Sequence, residues 1–293
     1  ITKDLKEVSQ TLTTVLITQS ASSGGSEMSF DQKMLSMSKD ILSKLPELFD
    51  FVLTKLEGDH GEELVRATMT YIALSNDGIM EGELVELLES HPYTKPRVST
   101  FARLYLSIRL YVTAGGSGLL RIVHAPIRAV IAKRYLSDGA VVQALQQRML
   151  QYYTVKADPQ RDGTYQAGAA RPLVALPYFE RVCKGDAALA ALLATPAFLK
   201  EKARFCGIKT LMKDFRVVPR GEAFALTHAI ARTLILASVQ LSMEPQTICY
   251  HLASRMYALE VAGAAAFVQR CRRACDEYAP LTTGGAVTLT ADI

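Results

Sequence analysis

Apolar residues recur at helical spacing along most of the chain, and the places where that spacing breaks divide it into elements. Leu5, Val8, Leu12, Val15 and Leu16 share one face of a helix expected over residues 4–18. Ser20-Ala21-Ser22-Ser23-Gly24-Gly25-Ser26 follows with a linker composition. A short helix is expected over 31–45, and Pro46 then suits the first turn of another, in which Leu48, Val52 and Leu56 share a face until Gly58 supplies a left-handed cap. Glu62 and Glu63 place acids at the positive end of the next helix, which turns Leu64, Val65, Thr68, Met69 and Ile72 inward before Ser75-Asn76-Asp77-Gly78 breaks it. A further helix runs over Glu81–Glu89, burying Leu84, Val85, Leu87 and Leu88, and Pro92 and Pro96 stop it.

Between Leu110 and Val123 the period changes from helical to β. Leu110-Tyr111-Val112-Thr113 and Leu119-Leu120-Arg121-Ile122-Val123 are β-prone runs joined by a glycine-rich loop, so they predict a hairpin. Helices followed by a hairpin and a further helix make the winged-helix plan. Beyond it, Ser137-Asp138-Gly139 caps a helix that aligns Val142, Leu145, Met149 and Tyr152. The polar stretch 156–170, with Asp158-Pro159 and Asp162-Gly163, reads as an exposed joint. From Arg171 onward every signal is helical: Pro172 at a helix start, Thr195-Pro196 as cap and first turn, Gly207 between two helices, and long helices over 222–241, 245–259 and 264–278. No repeat period is visible, so these helices predict an arm or bundle rather than a named repeat. The fold expected is mainly α: N-terminal helices over 1–45, a winged-helix domain over 46–154, a linker over 155–170, a helical domain over 171–279, and a final segment over 280–293.

Composition narrows the functional classes. At 293 residues, 49% hydrophobic and 21% charged, the chain has the make-up of an ordinary folded protein with room for two domains. A net charge of +4 is too mild to imply nucleic acid or membrane by itself. Five cysteines, an odd number without a signal peptide, favour reduced thiols and a cytoplasmic setting. The most apolar window, 223–241, holds His228 and Arg232, which favours a buried core helix over a membrane span.

The chain carries no obvious catalytic apparatus. A phosphate loop needs G-x-x-x-x-G-K-[ST], and Gly115-Gly116-Ser117-Gly118 lacks the lysine and sits in a hairpin. No activated nucleophile, metalloprotease motif or paired acid stands out. Cys271 and Cys275, one turn apart and expected to have His251 within reach, fall short of the four ligands that structural zinc takes and read as core thiols. Arg270, Arg272 and Arg273 read as a solvated basic turn, His60 and His91 as exposed turn residues, and His228 as a hydrogen-bonded core residue. A winged helix raises nucleic acid as a partner. Taking Glu81–Glu89 as the helix that would meet DNA, its four glutamates and absence of cations argue against that class.

Two stretches carry a family resemblance. Phe51-Val52-Leu53-Thr54-Lys55-Leu56-Glu57-Gly58-Asp59-His60-Gly61-Glu62-Glu63-Leu64-Val65, with Ala73 to Leu84 after it, resembles the winged-helix segment of NACHT-type STAND ATPases. Gly118-Leu119-Leu120-Arg121-Ile122-Val123-His124, followed by Arg128 and Arg134-Tyr135-Leu136, is similar to that family's wing and closing helix. Leu234 to Met256, with Glu244-Pro245-Gln246 in its turn, resembles the helical connector that precedes a WD-repeat propeller in such proteins, and 280–290 resembles the lead-in to a first propeller strand. Residues up to 45 resemble the last remnant of the nucleotide-binding module. The class is related in architecture to apoptotic protease-activating factor.

That resemblance implies a non-catalytic coupling segment of a larger signal-transduction switch, and a chain that opens on Ile1 reads as a piece of a longer one. Its implied partners are an upstream nucleotide-binding module and a downstream WD-repeat propeller, with a homo-oligomer or larger protein assembly allowed, no membrane, and no nucleic acid. ADP or ATP with magnesium is implied for the parent protein, and no cofactor or metal for this segment. His124, which Pro126 places at a helix start, resembles the sensor that touches the β-phosphate of ADP, although Ala125 follows where several branches carry an acid. A histidine that caps the helix or packs in the core is the competing reading. A structural scaffold without a working switch is the alternative function, and a winged-helix nucleic-acid binder the second.

Overall fold

The computed structural model describes residues 30–91, 98–109, 111–114, 118–122 and 124–276. The expected helix over 4–18, the serine-rich linker and the propeller lead-in lie outside these residues. The chain divides into two compact units, 1–139 and 140–293. It is mainly helical, with one small antiparallel sheet.

The first unit opens with α1 (Phe30–His60), which runs through Pro46 without a break. The proline is therefore not a helix start. It lies on an exposed side, where water can satisfy the carbonyl that loses its donor. Nor does Gly58 end the helix: α1 continues to His60, and Gly61 is the residue that turns left-handed (φ 93°). Next come α2 (Glu62–Leu74), β1 (Ile79–Met80) and α3 (Glu81–Glu89). Leu64, Val65, Thr68, Met69 and Ile72 are buried on α2 as the spacing predicts, and Leu84, Leu87 and Leu88 on α3. Two elements had no counterpart in the pattern. One is β1, too short to show a period; the other is α4 (Val98–Ile108), which buries Phe101, Leu104 and Ile108.

The hairpin forms where the period changes, from β2 (Val112–Ala114) and β3 (Leu119–Ile122). β3 is central, with β1 as the third strand: Val112 pairs with Ile122 on one side, and Ile79 with Leu120 on the other. Ile79, Val112, Leu120 and Ile122 are buried, so the sheet closes one end of this core. Gly78 is required here. Its φ of +91° is left-handed, and a Cβ would stand 2.7 Å from Arg121 Cγ and 2.8 Å from the Leu120 carbonyl oxygen. The unit ends with α5 (Ala125–Tyr135), packed on α1 and α2.

The second unit begins with α6 (Gly139–Ala157), whose Tyr153 stacks on Phe179 of α7 (Ala170–Lys184) with ring centroids 5.3 Å apart. The stretch expected as a linker starts inside α6 and continues as a folded loop. Asp158 accepts a hydrogen bond from the Gly163 amide, Asp162 accepts from the Thr164 amide and hydroxyl, and the left-handed Tyr165 lays its ring edge-on to Phe198. The Thr164 bonds hold the Asp162 carboxyl below the usual carboxylate range. After α8 (Asp186–Leu193), α9 (Pro196–Cys206) forms the centre of the unit, packing on α7, α8, α10 (Ile208–Arg216), α13 (Ile248–Met256) and α14 (Ala264–Asp276). Thr195 and Pro196 start α9, and Gly207 (φ 77°) separates it from α10, as expected.

The long helix expected over 222–241 is broken. It becomes a short 3-10 turn, α11 (Ala225–Leu236) and α12 (Ser238–Met243). The fully buried Ala237 leaves the helical conformation (φ −96°, ψ 5°), which brings Leu241 inward. This window is not a wholly buried helix either, since Leu236 is 71% and Val239 72% exposed. Among the described residues no helix is long and apolar enough to cross a membrane.

Candidate functional site

His124 is where β3 hands the chain to α5. It occupies the N-cap position in an extended conformation, and its carbonyl accepts from the Arg128 amide at 3.2 Å. Its ring makes no capping hydrogen bond and is exposed, so it neither caps the helix nor packs in the core. The burial pattern explains the placement. Ile122 and Ile127 turn inward on either side of the junction, which leaves His124, Ala125 and Arg128 facing out. Arg121 is also exposed, but its Nε donates to the Asp77 carbonyl at 2.6 Å and locks β3 to the turn before β1. An imidazole and a guanidinium one turn apart at the positive end of a helix suit the oxygen of an anion approaching from outside.

Behind this junction α5 is tied to α1 by a polar clamp. Arg134 donates to Asp50 Oδ1 at 2.7 Å, to Thr54 Oγ1 at 3.1 Å and to Glu57 Oε2, while the Tyr135 hydroxyl donates to Glu57 Oε1 at 2.5 Å. One carboxylate thus accepts from two consecutive side chains, and the sequence blocks around Glu57 and Arg134-Tyr135 meet in space. Burial pulls the Arg134 guanidinium down, but its bonds to Asp50 and Glu57 outweigh that and hold it above its ordinary range. Burial, then the bond to Glu57, raises the Tyr135 phenol. The clamp sets the direction in which α5 presents His124.

Other residues singled out from the sequence are not drawn into this site. His60 ends α1 and meets Ser107 Oγ at 3.0 Å, and its pKa is lowered chiefly by burial. His91 is buried with its ring edge-on to Tyr71, not exposed as its turn position suggested. His228 is half-buried and meets the Pro219 carbonyl at 2.9 Å. All five cysteines are free. Cys271 shares a thiol hydrogen bond with Cys249 that raises Cys271 and lowers Cys249. Among the described residues no three His, Cys, Asp or Glu side chains converge to hold a metal ion. Arg270 is not merely solvated: it donates to the Ala194 carbonyl at the end of α8. On α3, Glu83 folds back to accept from the Met80 amide at 2.9 Å, while Glu81, Glu86 and Glu89 are exposed.

Charge at the centre of the second unit escaped the sequence reading. Lys200, Glu201 and Lys202 lie side by side on α9, all buried, with Lys202 fully enclosed. Lys202 Nζ is 2.5 Å from Asp214 Oδ2, and Glu201 Oε2 is 2.7 Å from Arg204. Three consecutive charged residues resemble a solvated turn; only the surrounding helices reveal them as core. On α10 the opposite signal was legible, because Lys209, Lys213 and Arg216 recur at helical spacing opposite the buried Ile208, Leu211 and Phe215.

Comparison with known proteins gives one partial likeness. No family model matches this sequence, and no solved structure matches it. Human nephrocystin-3 is 24% identical over 123 residues, a stretch that covers 42% of this chain and 9% of that protein. The chain is thus similar, over less than half its length, to a small part of a much longer protein.

Proposed function

We propose that this chain is a non-catalytic coupling segment: a winged-helix unit followed by a helical arm that links a nucleotide-binding module to a WD-repeat propeller in a larger STAND-type switch. The observation that carries the reading is the junction at His124, an exposed imidazole at the start of a helix whose direction the Glu57–Arg134–Tyr135 clamp fixes. The order α2, β1, α3, α4, β2, β3 supports the winged-helix assignment, since three helices precede the hairpin and a short strand pairs with it. In the assembled protein His124 would donate to the β-phosphate of bound ADP, and loss of that bond on exchange would free the unit to move.

The same order changes the case against nucleic acid. In a winged helix the element presented to DNA lies just ahead of the hairpin, which here is α4 and not the acidic α3. The outward face of α4 offers Ala102, Arg103 and Leu106. With Arg109 exposed just past the helix end, two cations among neutral described side chains fall short of the several phosphate contacts that give DNA affinity.

In the full-length protein, His124→Leu is expected to loosen ADP and raise spontaneous assembly. ADP retention equal to that of the parent would remove the sensor role. The chain by itself is expected to show no ATP turnover.

A further inference from the structure

The segment 200–220 holds seven Lys and Arg against two acids, and both acids are engaged inside it, Glu201 with Arg204 and Asp214 with Lys202. What remains forms a line. Lys209, Lys213 and Arg216 stand out from α10 at i, i+4 and i+7, opposite its buried apolar face, and Arg220 follows just beyond the helix. At about 1.5 Å rise per residue, the three helical cations span about 10 Å along the axis. None of the four is ion-paired with another described residue. Val217, 45% exposed, lies between Arg216 and Arg220 in sequence, so the stripe carries an apolar anchor as well as charge.

Such a surface calls for an acidic partner, and the mixture of charge with an aliphatic side chain suits protein better than a phosphate backbone. Phe205, exposed at the end of α9, already has Arg204 over its ring at 4.3 Å and does not offer a clear face for base stacking. The chain itself supplies an acidic surface. Residues 44–90 hold eleven Asp and Glu against three Lys and Arg, with Glu62 at the start of α2 and Glu81 and Glu89 on α3 exposed. The side chains of Lys209, Lys213, Arg216 and Arg220 and of Glu62, Glu81 and Glu89 are exposed, and among the described residues no ion pair engages them.

We propose that the α10 stripe of one copy docks on the acidic region 44–90 of a second copy, which exposes Glu62, Glu81 and Glu89, giving salt-sensitive head-to-tail self-association. This interface is independent of the nucleotide reading. Individual exposed ion pairs contribute little, so several must act together and the contact is weak. Unless both patches engage reciprocally in one dimer, each contact leaves one patch of either kind free, so the mean mass grows with concentration.

Sedimentation of the chain over a concentration series tests this. At low salt the weight-average mass is expected to rise with concentration, and the apparent dissociation constant to weaken by about tenfold or more at about 0.5 M salt, where the Debye length is only about 4 Å. Lys213→Glu with Arg216→Glu should abolish association, and so should Glu81→Lys with Glu89→Lys; circular dichroism confirms that each variant is folded. Mixing the two variants should restore it, because each reversed surface then faces an opposite one. A chain that stays monomeric at every concentration overturns the proposal, as does association indifferent to both reversals or a mixture that stays dissociated. A monomer whose stripe instead binds an RNA or DNA oligonucleotide, with loss on Lys213→Glu/Arg216→Glu, would assign the surface to nucleic acid.

Discussion

The two units place their charges in opposite ways. In the first, Arg134, Glu57 and Tyr135 form a clamp at the rim of two packed helices that bury Leu53 and Leu56 on one and Ile127, Val130 and Ile131 on the other, and water reaches part of the network. In the second, Lys202 and Asp214 meet inside the helix cluster, and the lysine has no solvent at all. A rim network adds orientation at small cost, because a charge that loses its partner can be hydrated. A central ion pair offers little net stability over apolar side chains of the same shape, yet it is severe when half broken. The first arrangement suits a unit that must hold one surface in a fixed direction, and the second makes α9 intolerant of partial change.

The largest expected effect tests that contrast in the second unit. Lys202→Met leaves Asp214 against an apolar neighbour and should lower the unfolding free energy by about 3–5 kcal/mol, read by urea denaturation. Adding Asp214→Leu should recover most of that loss. If the double variant is no better than the single, the pair is not the source of the sensitivity. In the first unit, Glu57→Gln removes a charged acceptor shared by Arg134 and Tyr135 and should cost about 2 kcal/mol, softened because Arg134 keeps Asp50.

The clamp also predicts a pH dependence. The folded-state pKa of Tyr135 is raised above its unfolded value, so the neutral phenol is favoured by folding. Its contribution is complete below about pH 10 and is lost as pH rises from there through the folded value. Tyr135→Phe should therefore flatten the alkaline limb of a stability profile, and an unchanged limb would place that titration elsewhere. The opposite sign applies to His60, whose folded pKa is lowered: its contribution is present above about pH 6.5 and is lost as pH falls through the folded value. A proton titration of its ring followed by NMR should show a midpoint below the ordinary one. Smallest of all, His124→Leu should change stability by no more than about 0.5 kcal/mol in thermal melts of this chain, because the ring is exposed and caps nothing. A larger loss would make the residue structural.

Much of the helical framework was legible because amphipathic spacing survives packing. The inward residues of α2 and α3, the hairpin at Val112 and Leu119, the Thr195-Pro196 start and the Gly207 separator all follow from local rules. Several of the departures from expectation have identifiable causes in the fold. Pro46 does not start a helix: it stands on an exposed side of α1, where loss of one backbone donor costs least. The apolar run over 222–241 did not stay one helix, since Ala237 is needed in the core and Leu241 must reach it. The turn position of His91 predicts exposure, yet it is buried with Tyr71 edge-on against its ring. The site was legible in part: Pro126 and the end of the hairpin located His124, but nothing local linked Glu57 to Arg134 across 77 residues.

By itself the sequence determined where helices and the hairpin form, because spacing of apolar side chains and the backbone limits of glycine and proline act over a few residues. It also determined the charge stripe of α10, whose period is that of the helix carrying it. Only the tertiary structure decided which charges are solvated and which are enclosed, as Lys202 and Arg134 show, because burial is set by what other segments bring to a side chain. The exposure of His124 was decided the same way, by Ile122 and Ile127 taking the inward positions on either side of it.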